Sequence, residues 1–189
     1  MRWLSHTIIG ASVAIPTNPS MIPVVMFGSI FPDLLETILN QQPIKLYILG
    51  PFGLTGQIKH RTYTHVLVSW ILLLLFSIII FDFHNFLFWL SIGCISHWFA
   101  DALTYTGVPL TWWSDRRVYL FGGRVRTGQP TELYIAFTCF AVALFFSQTF
   151  QWHDPSKPGF LPFFYDWRGE YSKGNIDGQE WRENRFKFI

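Results

Sequence analysis

Apolar residues in this chain gather in blocks, and the blocks set its plan. Val66–Phe81 is uncharged and almost wholly apolar. Phe86–Ala100 carries no charge apart from His97, and Leu133–Phe150 has none at all. A bilayer core of about 30 Å takes about 20 helical residues to cross, so each block with its flanks predicts a membrane helix. Buried helices of soluble domains are shorter and carry more polar punctuation.

The first forty residues are more broken. Trp3–Ile15 is apolar but short, and Pro16, Asn18, Pro19 and Pro23 interrupt it before a second apolar run from Met21 to Leu39. This predicts two short antiparallel helices or a re-entrant pair. Arg2, the apolar run and the small residues Ser12 and Ala14 also fit a signal peptide. His6 has no place in one, so the expectation is a retained helix. Asp82, His84 and Asn85 make a very short polar break, the mark of a tight helical hairpin. Residues 106–131 read as a polar loop punctuated by Gly and Pro. The expected fold is therefore an all-α integral membrane bundle of four or five segments. With five, the helices run about 3–16, 21–39, 62–81, 86–105 and 132–150. Residues 1–150 form the membrane domain and 151–189 a mixed polar and aromatic tail at the interface.

Composition narrows the class. Aromatic residues reach 19% and charged residues only 14%, against about 25% charged in soluble domains. Disorder, fibrous structure and an ordinary soluble domain are disfavoured. A net charge of +2 gives no global signature for nucleic acid. Cys94 and Cys139 lie inside apolar runs and read as small hydrophobes. In the five-helix plan, Arg2, Lys45, Lys59, Arg61, Arg116, Arg117, Arg124 and Arg126 all fall on one side. The positive-inside rule puts that side in the cytoplasm and the tail on the other.

The unusual polar residues map to the same cytoplasmic end: His6, Asp33, Glu36, His60, His65, His97, Asp101 and Glu132. Ionisable groups beside an apolar core are costly and usually pair or bind ions. His97 and Asp101 are four apart and share a helix face, as do Asp33 and Glu36 at a spacing of three. Asp101 can ligate a metal with His97, or orient it from behind. Several imidazoles with two or three carboxylates suit zinc, manganese or iron. One or two such ions would activate a water for hydrolysis, with Glu36 or Glu132 as general base or further ligand. Each piece has a plainer reading. A lone His97 is a core histidine, His60 between Lys59 and Arg61 is a solvated flank, and the four loop arginines are topology anchors. The gathering from five segments favours a metal centre.

These residues resemble the YdjM-like group of inner-membrane-associated metal-dependent hydrolases. The resemblance rests on His6, Pro32-Asp33, the run His60-Arg61-Thr62-Tyr63-Thr64-His65, the pair His97 and Asp101, Gly107 with Leu110, and Thr127-Gly128 with Glu132. It covers about residues 1–150. The group often has an acidic residue closely after Pro-Asp, whereas here two leucines precede Glu36. The group's distant similarity to zinc-dependent phospholipases C and single-strand nucleases implies phosphoester hydrolysis. The site expectation is then His6, Asp33, His65, His97 and Asp101 as metal ligands, zinc first and manganese second. Glu36, His60 and Glu132 are the candidates for catalysis. Arg116, Arg117, Arg124 and Arg126 would bind an anionic substrate, with Trp112 and Trp113 seating their loop in the interface. A membrane lipid or lipid-like phosphoester is the expected partner, at the cytoplasmic face of a bacterial inner membrane. Duplex nucleic acid is not expected, because the basic loop is too sparse. The alternatives are a non-catalytic membrane protein with a structural polar or metal cluster, and a transporter. The uncharged middles of two helices count against transport.

Overall fold

A computed structural model describes residues 1–41, 61–81, 85–114, 116–157 and 159–187. Five longer helices carry the fold: α1 (Trp3–Thr17), α2 (Ile22–Leu39), α3 (Leu67–Ile80), α4 (Phe86–Ala102) and α5 (Pro130–Thr149). Two short helices, α6 (Trp167–Ser172) and α7 (Gly178–Asn184), lie in the tail. Among the described residues the fold is all-α apart from a ribbon in which β1 (Val108–Pro109) pairs antiparallel with β2 (Arg117–Val118). The helix containing Pro19–Leu39 and α5 are long and apolar enough to cross a membrane. The apolar helices α3 and α4 are shorter.

Helix three begins later than its apolar pattern predicts. Residues Tyr63–His65 form a 3-10 turn, and α3 starts at Leu67. The Trp70 indole N–H donates to the Thr64 carbonyl at 3.1 Å and ties the turn to α3. The fourth helix stops at Ala102 rather than near 105, where Thr104 and Val125 bridge. Asn85 closes the α3–α4 hairpin. Its side-chain oxygen caps α4 by accepting from Phe88 N at 3.1 Å, and its Nδ2 donates to the Ser77 carbonyl.

Central α1 packs on α2, α4 and α5, while α2 and α3 both pack on α4. Small residues allow the closest approaches. A Cβ at Gly28 would sit 2.4 Å from the Leu90 carbonyl oxygen, and one at Gly93 would sit 2.5 Å from that of Val25. A Cβ at Gly10 would meet Ser29 Oγ at 2.7 Å. Small residues are how helices pack tightly where lipid removes the hydrophobic drive between them.

The outer faces are inverted relative to a soluble protein. Ile71, Leu72, Leu75, Phe76, Ile79 and Ile80 on α3 are exposed, as are Phe137, Leu144 and Phe145 on α5. So continuous an apolar surface is what lipid covers. At one end of the bundle, Ala14, Val25, Phe88 and Trp89 form a core on which Phe163 and Phe164 of the tail pack. Arg185 donates to the Phe81 carbonyl at the tip of the α3–α4 hairpin. Asp177 caps α7 by accepting from Glu180 and Gln179 N–H, which hold its carboxyl below the usual range.

Candidate metal centre

The opposite end of the bundle holds the polar cluster. His6 comes from the second turn of α1, Asp33 and Glu36 from the last turns of α2, His65 from the turn before α3, and His97 with Asp101 from the end of α4. The glycine contacts set this up. Gly10 lies four residues after His6 and Gly93 four before His97, so each close approach is one helical turn from a histidine.

Pro32 lies inside α2, where it cannot donate to the carbonyl four residues back and crowds that turn. In this loosened stretch the Ser29 carbonyl accepts from His97 Nδ1 at 2.7 Å. A carbonyl only accepts, so Nδ1 carries the proton and Nε2 the lone pair. Nε2 is buried without a hydrogen-bond partner. It lies 3.5 Å from Asp101 Oδ2 and 3.8 Å from Asp33 Oδ1.

The His6 ring stacks on that of His97 with centroids 3.8 Å apart. Its Nε2 is 3.3 Å from Asp101 Oδ1, without the alignment of a hydrogen bond. His65 Nε2 is 3.1 Å from Asp33 Oδ1 and 3.8 Å from Asp101 Oδ2, while Nδ1 faces Thr64 Oγ1 at 2.9 Å and Glu36 Oε2 at 3.6 Å. Three imidazoles thus bring Nε2 within 3.8 Å of one carboxylate, Asp101, with His65 bonded to Asp33 beside it.

Two sets of potential ligands result. His6, Asp33 and His97 form one, and His65, His97 and Asp101 the other, each with ligand atoms within 4.8 Å of one another. A zinc–nitrogen bond is about 2.0–2.1 Å, so a small inward movement would close either set on an ion. Buried imidazole nitrogens without partners beside carboxylates are the donor chemistry that a divalent ion satisfies. The residues fit a metal. Both sets use His97, which has a single unoccupied nitrogen, so they describe one centre rather than two.

All five expected ligands therefore converge. Glu36 stands behind His65 and accepts from Arg61 N at 3.1 Å. Glu132 is turned elsewhere. It is buried, accepts from Gly128 N at 2.8 Å and from Arg2 N, and thereby caps α1 from the first turn of α5. The Arg2 guanidinium returns to the Gly128 carbonyl. His60 lies outside the described residues. Arg116, Arg124 and Arg126 are exposed, and Arg117 spends its guanidinium on the carbonyls of Thr106 and Gly107 in its own loop.

Sequence reasoning passed over Arg61, treating it as a motif member and a flanking charge. Its backbone has φ 57° and its side chain is buried. Nη2 donates to Asp101 Oδ1 at 2.8 Å, while Nε lies 2.7 Å from Oδ2 without the alignment of a hydrogen bond, an ion pair held by one bond. Nη1 donates to Thr104 Oγ1 at 2.6 Å and to Thr106 Oγ1. The Met1 amino group also contacts Asp101 Oδ1. The available signal was position: Arg61 is embedded between His60 and His65, in a run already singled out.

The family model described as YdjM inner membrane protein matches residues 1–157, a span that contains every residue of the cluster. No match was found among curated proteins or among solved structures.

Proposed function

The chain belongs to the YdjM inner membrane protein family, and on that premise we propose that it is a membrane-bound, metal-dependent hydrolase acting on a phosphoester. One observation carries the reading: three imidazoles and two carboxylates from four separate segments turn their ligand atoms into one buried site. His6, Asp33, His65, His97 and Asp101 hold a single divalent ion, with zinc preferred by the nitrogen-rich donor set. Such an ion supplies a Lewis acid and an activated water. The Ser29 carbonyl fixes the tautomer of His97, and Glu36 with Thr64 orients His65 from behind. Glu36 is also the carboxylate nearest the cluster not needed as a ligand; from the Nδ1 side of His65 it acts through that ring, raising its basicity, rather than on the water itself. Burial of the imidazoles excludes bulk solvent.

The exposed apolar faces of α3 and α5 support membrane crossing by these helices within a bundle of four or five segments, the shorter helices being met by local thinning or by flanking residues. The arginine-bearing loops favour the cytoplasmic face for the centre; at headgroup depth there, a lipid phosphoester would be the natural substrate. Arg116, Arg124 and Arg126 attract its anionic group from the loop. The test is turnover by the detergent-purified, zinc-loaded protein against a soluble phosphodiester and against phosphatidic acid in mixed micelles. Release that depends on zinc and vanishes in His97→Ala is expected. A zinc-loaded protein that hydrolyses neither class would overturn the reading.

A second reading has its own observation. Asp101 already has Arg61 and the Met1 amino group as cationic partners, so the cluster balances its charge without an ion. In a non-catalytic protein of this kind, His97→Ala would lower thermal stability while the wild type retains no metal after reconstitution.

A further inference from the structure

Arg61 is the cation that the hydrolase reading leaves without a task. It is buried at 4% exposure inside a cluster of candidate ligands. Its guanidinium bonds Oδ1 and lies against Oδ2 of Asp101, the carboxylate that all three imidazoles approach within 3.8 Å. Oδ2 faces His65 and His97 and is the oxygen a metal would use in the second ligand set, and there the guanidinium sits at 2.7 Å. The guanidinium and a divalent ion are both positive and would share one carboxylate at van der Waals range. Two such charges repel in a buried, weakly screened site.

The backbone of Arg61 cannot move to resolve this. It is held at φ 57°, with its N–H on Glu36 Oε2 at 3.1 Å. The side chain can pivot, because Thr104 and Thr106 hold Nη1 while the other edge makes one bond to Asp101 and leaves Nε without a hydrogen-bond partner. Resting on the metal-dependent reading, we propose that Arg61 is an exchangeable counter-cation: it pairs with Asp101 in the ion-free protein and, once an ion is held, turns its fork to the anionic group of the phosphoester. A guanidinium fork matches two oxygens of a phosphate as well as it matches a carboxylate. Recognition of the anion thereby depends on the ion, and by linkage each strengthens the other.

The experiment titrates zinc into the detergent-purified full chain, with and without inorganic phosphate, and compares Arg61→Gln and Arg61→Lys. In the wild type, phosphate should tighten zinc binding by about tenfold, within the usual range for coupled sites. Arg61→Gln should bind zinc more tightly than the wild type when phosphate is absent, because the buried Asp101 loses its competing partner. It should also lose the phosphate effect. Arg61→Lys keeps a charge without the fork and should fall between the two. Zinc binding that weakens or stays unchanged in a folded Arg61→Gln protein would overturn the exchange. So would a wild type in which zinc binds and phosphate leaves its affinity untouched, a result that needs no variant to fold. A wild type that binds no zinc at all would remove the metal-dependent reading beneath it, which separates the two failures.

Discussion

His97 donates its Nδ1 hydrogen to the Ser29 carbonyl across the α2–α4 contact at 2.7 Å, and this bond decides which nitrogen faces the cluster. A histidine fixed in one tautomer has one lone pair to give. Both potential ligand sets pass through it, so the geometry has room for one ion per chain, not two. Elemental mass spectrometry of the reconstituted protein should find about one zinc, and none in His97→Ala or Asp101→Ala variants that still fold. Two ions per chain would show that the sets act separately.

The glycine contacts make the site sensitive to helix spacing. Gly28→Ala and Gly93→Ala would each force a methyl group to within 2.4 or 2.5 Å of a facing carbonyl oxygen. Overpacking of this kind costs about 1–3 kcal/mol. Thermal melting in detergent should drop for both, and zinc affinity should weaken because Ser29 and His97 move apart. A variant that melts and binds like the wild type would show that the helices have slack there.

Glu132 should behave as a latch rather than a catalytic group. Its oxygens accept from Gly128 N and Arg2 N. Glu132→Gln keeps one accepting oxygen and turns the other into a donor facing a donor, at a cost of about 1–3 kcal/mol. Lower stability with unchanged zinc stoichiometry is expected. If stability holds while turnover is lost, the carboxylate acts in the reaction.

The apolar outer faces yield a prediction about insertion. Leu75 and Phe145 are exposed on α3 and α5. A charge near the middle of a membrane helix costs about 2.5–3.5 kcal/mol on insertion scales. Leu75→Asp and Phe145→Arg should reduce the yield of membrane-extracted protein, whereas an exposed tail change such as Lys173→Asp should not. Normal yields for the first two would mean that those faces do not meet lipid.

Much of this architecture was legible in the sequence because lipid demands long uncharged runs, and such runs mark helices within a few residues. His97 with Asp101 and Asp33 with Glu36 were legible as well, since helical spacing alone puts each pair on one face. The start of α3 was misread because a crossing of about 20 residues needs the stretch from Thr62, yet Thr62–Val66 bends to bring His65 inward. Arg61 was hidden for a different reason. Beside Lys59 it looks like a flanking charge, and only its left-handed backbone and its pairing with Asp101 reveal a buried role. Glu132 falls at the predicted end of the bundle, but its bond to Arg2 joins residues 130 apart, beyond the reach of any local pattern.

The tail adds a last consequence. Phe163 and Phe164 seat against Phe88, Trp89, Ala14 and Val25 at the end of the bundle away from the histidines. Those rings close that end of the helices with protein rather than lipid, so loss of the tail would uncover Phe88 and Trp89 while leaving the histidine end intact.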